Sequence, residues 1–301
     1  MKSIKLILAT STLVLSMASC SKSELYIYDC ECNGKNDSCY LKVTDVNKEG
    51  YYLTRAATEK ESFGDGDAIG LWIDDGVNST YNGVSYENIQ LEKETLGWKM
   101  QRNVVLTKSA AKVYALFPYN ADQANTSVAL SVDDDTDYLY DIASNVSNQS
   151  SAVSLTMKHV RSKLVVRVER DDYIGNGIIS NGTIDGSALY VNGTFDLKTE
   201  KLTSSDNVKQ ITFSGTMPET GTLEEEWFVF SAFGTATSNL SFSLTIDGIT
   251  YPTVKSSESV RFEKGKKYIY TLSVSNHKVE VSQVDIQPWG EGANENLNVT
   301  D

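Results

Sequence analysis

Four cysteines, two histidines and forty acidic residues are the side chains of this 301-residue chain with the most chemistry to offer, and their spacing decides what they do. Cys20, Cys30, Cys32 and Cys39 crowd the start. Cys32 and Cys39 enclose the turn-like NGKNDS and form a candidate disulfide wherever the compartment is oxidising. A zinc site needs four closing ligands, and His159 and His277 stand far from the cysteines in sequence. No metal or cofactor is expected. Nucleophilic hydrolysis has little to draw on, because Gly-x-Ser-x-Gly is absent and only those two histidines are available as bases. His159, between Lys158 and Val160 in a strand-like run, reads as a structural hydrogen-bonding residue. No catalytic residue is assigned, and the chain is not expected to be an enzyme.

Two runs of acids invite a chemical reading. Asp133-Asp134-Asp135-Thr136-Asp137 suits a hard cation, but the calcium-loop template asks for glycine where Tyr138 stands and glutamate where Ser144 stands. A solvated acidic loop is the expectation. Glu224, Glu225 and Glu226 offer carboxylates for glycoside hydrolysis, but abundance is no signal when their separation in space is invisible. Gly64-Asp65-Gly66-Asp67-Ala68-Ile69-Gly70 has one residue too many for a dinucleotide fingerprint and precedes a strand-like LWI, so it reads as a turn. Tyr81, Tyr86 and Tyr138 invite sugar stacking, although tyrosine is also an ordinary strand residue, and the strand reading is preferred.

The N-terminus carries an address. Lys2 and Lys5 are followed by an apolar run from Ile4 to Met17 and then by Met17-Ala18-Ser19-Cys20. Basic, apolar and small-residue zones in that order read as a secretory signal over residues 1–19, with Cys20 as a bacterial lipoprotein acylation site carrying palmitate. Ser21 suits outer-membrane sorting. The formal charge of -13 becomes more negative once Lys2 and Lys5 leave, and no basic stripe exists for a phosphate backbone, so nucleic acid is not an expected partner. The lipid is the expected membrane attachment.

Any such residue must be positioned by strands. Beyond residue 40, β-branched and aromatic runs alternate with turn residues, and no stretch holds a helical apolar stripe over three turns. Asn192-Gly193 and Asp247-Gly248 each separate two such runs and predict two-residue hairpins. In FSLTI, Phe242, Leu244 and Ile246 alternate with polar neighbours and predict a half-buried strand. Val153, Leu155 and Met157 alternate with one parity and Leu164, Val166 and Val168 with the other, which predicts a kinked strand near His159. A domain junction is placed near residue 157. The chain divides into the signal at 1–19, a Cys-containing segment with a first strand at 20–50, and two β-sandwiches at 51–157 and 158–301.

LTRA at Leu53 to Ala56, FGDGDAIGLWI, AKVYALFPY, LTMKHVRSKLVVRV, KGKKYIYTLSV and DIQPWG, in that order after a lipoprotein start, resemble the fimbrillin-like (Mfa-like) lipoproteins of Bacteroides and its relatives. The resemblance implies an all-β chain of two tandem transthyretin-like sandwiches carried to the outer membrane. It implies pilus subunits or pilus-associated adhesins, with other fimbrial subunits as partners through β-strand exchange. It further implies that an arginine-specific protease cuts between Arg55 and Ala56, freeing the first strand. Two departures stand out: the segment Cys30 to Cys39 is foreign to the pattern, and Glu291 to Asp301 is short for a donor strand. The alternative is a surface lipoprotein that captures host or bacterial glycans, or a surface protein, without polymerising.

Overall fold

The computed structural model describes residues 39–49, 62–131, 133–187, 189–205, 210–231, 239–257 and 259–289. Cys20, Cys30, Cys32, Arg55 and Ala56 lie outside them. Among the described residues every regular element is a strand, and no helix is long and apolar enough to cross a membrane. The first half of the chain supplies β1 (Cys39–Tyr40), β2 (Lys42–Lys48), β3 (Ala68–Asp74), β4 (Tyr86–Glu94), β5 (Gly97–Met100), β6 (Val105–Leu106), β7 (Ala111–Phe117), β8 (Ser127–Leu130), β9 (Leu139–Val146) and β10 (Ala152–His159). The second supplies β11 (Ser162–Arg170), β12 (Ile178–Asp185), β13 (Gly193–Asp196), β14 (Lys201–Ser204), β15 (Ile211–Thr216) and β16 (Thr222–Val229). It ends with β17 (Ser241–Ile246), β18 (Ile249–Thr250), β19 (Val254–Lys255), β20 (Lys266–Val274) and β21 (Val279–Pro288).

In the first half the strands run β2-β10-β9-β7-β3-β4-β5, and the two ends of that order come back against each other. The curl closes around Ile69, Leu71 and Ile73 of β3, Val113 and Ala115 of β7, and Leu155 and Met157 of β10. In the second half a β16-β11-β20-β21 sheet faces a β15-β12-β17-β18 sheet. Leu164, Val166 and Val168 of β11 meet Phe242, Leu244 and Ile246 of β17 between them, as period-two patterning requires. A third sheet, β14-β13-β8, joins the halves, because β8 comes from the first and β13 and β14 from the second.

Two local expectations need correction. The parity change between Met157 and Leu164 is not a kink in one strand. β10 ends at His159 in the first sheet, β11 begins at Ser162 in another, and each apolar set faces its own core. The change of sheet falls between His159 and Ser162. Asn192-Gly193 is not a hairpin turn: Gly193 opens β13 and pairs with both Ser204 and Leu130. Glycine is required there by close approach, since a Cβ would sit 2.2 Å from the Thr203 carbonyl oxygen. Asp247-Gly248 does form the expected hairpin, with φ of 48° and 81°, pairing Ile246 with Ile249.

Candidate functional site

β2 fills a groove at one end of the first sheet. This strand runs parallel to β10, from Lys42 opposite Ala152 to Lys48 opposite Met157. The register shifts between Val153 and Ser154, so Thr44 is the extra residue of a bulge, and its hydroxyl donates to the Val153 carbonyl at 3.1 Å. The bulge flips the parity of the strand. Val43 and Val46, three apart, therefore both point inward and join Leu41 in the first core. Each such side chain contributes about 2 kcal/mol by burial. Backbone bonds from Leu41 to Val104, Lys42 to Ser151 and Glu49 to Met157 complete the seating.

β10 relies on this partner. It pairs with β9 only through Lys158 and His159, whereas Ala152 to Met157 pair with β2. Taking β2 away would strip most of the β10 ladder and open an apolar groove over Leu155 and Met157. Cys39, buried at the head of this segment, is disulfide-bonded, and its partner lies outside the described residues.

The acidic run is organised by a cation of the chain's own. Arg161, 2% exposed, donates to the carbonyls of Ser131 at 3.1 Å, Asp134 at 3.1 Å and Thr136 at 2.6 Å, and lies 4.4 Å above the Phe228 ring. Burial works against its charge, while Asp134 and Asp137 work for it. Burial would raise the Asp134 carboxyl, but hydrogen bonds from Thr136 and Tyr138, with Arg161 nearby, hold it below the usual carboxylate range. Asp133 and Asp135 keep the solvated setting expected of the run, while the backbone of the loop wraps a guanidinium, a residue no calcium template would flag. His159 takes the structural role: Nδ1 sits 2.9 Å from Asp137, and the ring stacks 4.0 Å from Trp289 at 7°.

The remaining candidates are dispersed. Glu224 pairs with Arg167 at 2.7 Å and Glu226 with Lys163 at 2.7 Å, cross-strand contacts on an exposed face. Tyr81 and Tyr86 are buried, Tyr81 bonding Thr107 and Ser109, and Tyr138 packs beside Arg161; of the three, only Tyr86 lies in a strand, opening β4, while Tyr81 makes an isolated bridge to Val84 and Tyr138 stands just ahead of β9. Gly64 to Asp67 form a turn closed by Asp67, which accepts from the Gly64 N–H at 2.8 Å. A small cleft of about 170 Å³ between Trp72, Asp74, Asn125 and Lys198 is partly closed by the Lys198–Asp74 ion pair at 2.5 Å.

Among the described residues the fold is all-β, with β2 at one end of its sheet order. Residues 54–289 match the fimbrillin-like family, and the chain belongs to it. The family is one of non-enzymatic structural and adhesion proteins, which gives this chain a fimbrial or adhesive role at the cell surface, in association with other fimbrial subunits. The fold resembles a candidate cell adhesion protein from Bacteroides uniformis ATCC 8492, with TM-score 0.60, 18% identity, and 84% of this chain and 99% of that one covered. A candidate cell adhesion protein from Bacteroides ovatus ATCC 8483 is similar at TM-score 0.57 and 17% identity, covering 84% of this chain and 98% of that one. None of the curated proteins matches the sequence.

Proposed function

We propose that this chain is a lipid-anchored fimbrial subunit that assembles by β-strand exchange at the β2 groove. The observation that carries the reading is that β10 takes most of its ladder from β2, a terminal strand joined to the rest of the chain through the segment containing Arg55. Cutting between Arg55 and Ala56 leaves β2 held by non-covalent contacts, chiefly its backbone pairing and the burial of Leu41, Val43 and Val46. A neighbour's strand offering the same backbone groups and apolar side chains takes its place. The cysteines do not oppose this. All four precede Arg55, so any disulfide within the chain, Cys32 to Cys39 included, leaves with the released segment and does not tether β2 to the body. Acylated Cys20 leaves with the same segment, so the cut also frees the body from the outer membrane. Two sandwich units meeting near residues 157–161 would then be the building block.

Digestion of the mature protein with an arginine-specific protease tests this. A new N-terminus at Ala56 together with ladders that resist denaturant is the expected result. A protein cut at Ala56 that keeps β2 and stays monomeric overturns strand exchange and leaves a non-polymerising surface lipoprotein, whose glycan binding an array would then measure.

A further inference from the structure

The cleft beside Trp72 takes no residue from β2 or β10 and gathers polar groups from both halves. β3 supplies Trp72 and Asp74, the loop after it Ser79, β4 supplies Glu87, and the loop before β8 supplies Asn125. Lys198 reaches in from the turn between β13 and β14. The space they enclose is about 170 Å³ and opens on the surface. A cavity of roughly 150 Å³ holds one six-membered ring.

The backbone places these groups. Ile73 pairs with Tyr86 and Leu71 with Ile89, so Glu87 and Asn88 together oppose Trp72 in a bulge, with Asn88 at a φ of 46°. Bulges re-aim side chains, and this one sets Glu87 at the cleft. Gly70 makes room for the indole, because a Cβ there would come within 3.1 Å of Cη2 and Cζ3. Trp72 is 4% exposed, and its Nε1–H is buried with no acceptor among the described residues. A buried donor in that state costs free energy until an acceptor meets it.

The other groups are fixed yet keep hydrogen-bonding capacity. Asp74, itself buried, accepts from the Gly76 N–H at 2.8 Å and from the Lys198 ammonium at 2.5 Å, and the Tyr114 hydroxyl bonds to it as well. A carboxylate offers about four acceptor sites, so one stays for a ligand hydroxyl. Asn125 Oδ1 accepts from the Ser127 N–H at 2.8 Å, which leaves the side-chain amide hydrogens to donate. Charge then selects the ligand. Lys198 disfavours a cation, and Asp74 and Glu87 disfavour an anion such as phosphate, whereas a hydroxyl donates to Asp74 and accepts from Lys198 at once.

We propose that this cleft binds one neutral sugar ring, its hydroxyls shared among Asp74, Lys198 and Asn125 and one of its oxygens accepting from the Trp72 indole N–H. The site draws on the adhesive role of the family and stands whether or not β2 is exchanged.

The test uses the full mature chain with isotope-labelled tryptophan, whose four indole N–H signals are followed by NMR. The probes are the methyl glycosides of glucose, galactose, mannose and N-acetylglucosamine. At least one of them shifts the Trp72 signal saturably and leaves those of Trp98, Trp227 and Trp289 in place. Trp72→Phe identifies the signal and, having lost the donor, binds that glycoside about tenfold more weakly by saturation-transfer NMR. Asn125→Ala, at an exposed position outside the cores, also weakens binding about tenfold and carries the comparison should Trp72→Phe not fold. A glycan array assigns the source of the ring: signal on glycans ending in that sugar means a chain end, and a blank array beside glycoside binding means a free sugar. The proposal is overturned if no probe moves the Trp72 signal, or if binding keeps its full strength in the folded variants. Strand exchange is judged separately by the ladders of the cleaved chain.

Discussion

Arg161 concentrates most of what single residues do at the junction of the halves. It donates to three carbonyls of the acidic loop and covers Phe228, so removing it takes a charged donor from part-buried acceptors. Arg161→Met should cost about 3 kcal/mol in urea denaturation. Arg161→Lys should recover only a minor part, since an ammonium does not span three acceptors as a planar fork does. An equal loss in both would mean that charge, not geometry, is what matters there. Asp134 adds a pH dependence of defined sign. Its folded pKa lies below the unfolded value, so its carboxylate contributes stability that is complete above the unfolded range near 4 and is lost as pH falls through the folded value. The unfolding midpoint should drop more between about pH 5 and pH 2 in the parent than in Asp134→Asn. Identical acid profiles would remove Asp134 from the account.

Strands are where the sequence is most and least legible. Asp247-Gly248 announces its hairpin because a two-residue turn needs positive φ at both positions, and those residue types tolerate it. Phe242, Leu244 and Ile246 likewise announce a strand with one wet face. Asn192-Gly193 carries the same letters for another reason: the glycine admits the Thr203 carbonyl and the Phe230 ring, a tertiary demand that leaves no local mark. Gly193→Ala should therefore destabilise by about 3 kcal/mol and speed amide exchange in β8 and β14, whereas Gly248→Ala should cost about 1 kcal/mol and leave them protected. Comparable exchange in both variants would rule out the close-approach explanation. The placement of β2 was half legible. A first strand ahead of Arg55 is expected from the motif order, but its parallel pairing with β10 and the bulge at Thr44 depend on long-range register. Arg161 was not legible at all, since an arginine inside a strand-like run looks like any exposed one.

Across the whole molecule, the decisive feature is that the halves do not merely abut. β8 is sewn into β13 and β14, and Trp72, Tyr114 and Leu116 from the first half pack with Phe195, Leu197 and Leu202 from the second. Lys264 donates to the Tyr140 hydroxyl at 2.8 Å and the Glu200 carbonyl at 3.2 Å, while that hydroxyl donates to the Glu200 carboxylate at 2.8 Å. Burial, then Glu200, pushes the Tyr140 hydroxyl pKa up, so this bond stays made across the physiological range. An apolar cluster closed by a polar clasp keeps the halves from swinging. The intact chain should thus unfold in one transition, with amides of β3 and β20 exchanging at the same free energy. Phe195, fully buried against Tyr140 at 4.8 Å, is the side chain to remove. Phe195→Ala should cost about 3 to 5 kcal/mol and split the transition in two, the β3 and β20 amides then reporting different free energies. Two transitions in the parent would mean that the halves are independent and that stiffness must come from contacts between subunits. A single transition that survives Phe195→Ala would move the coupling to β11 and the Arg161 junction.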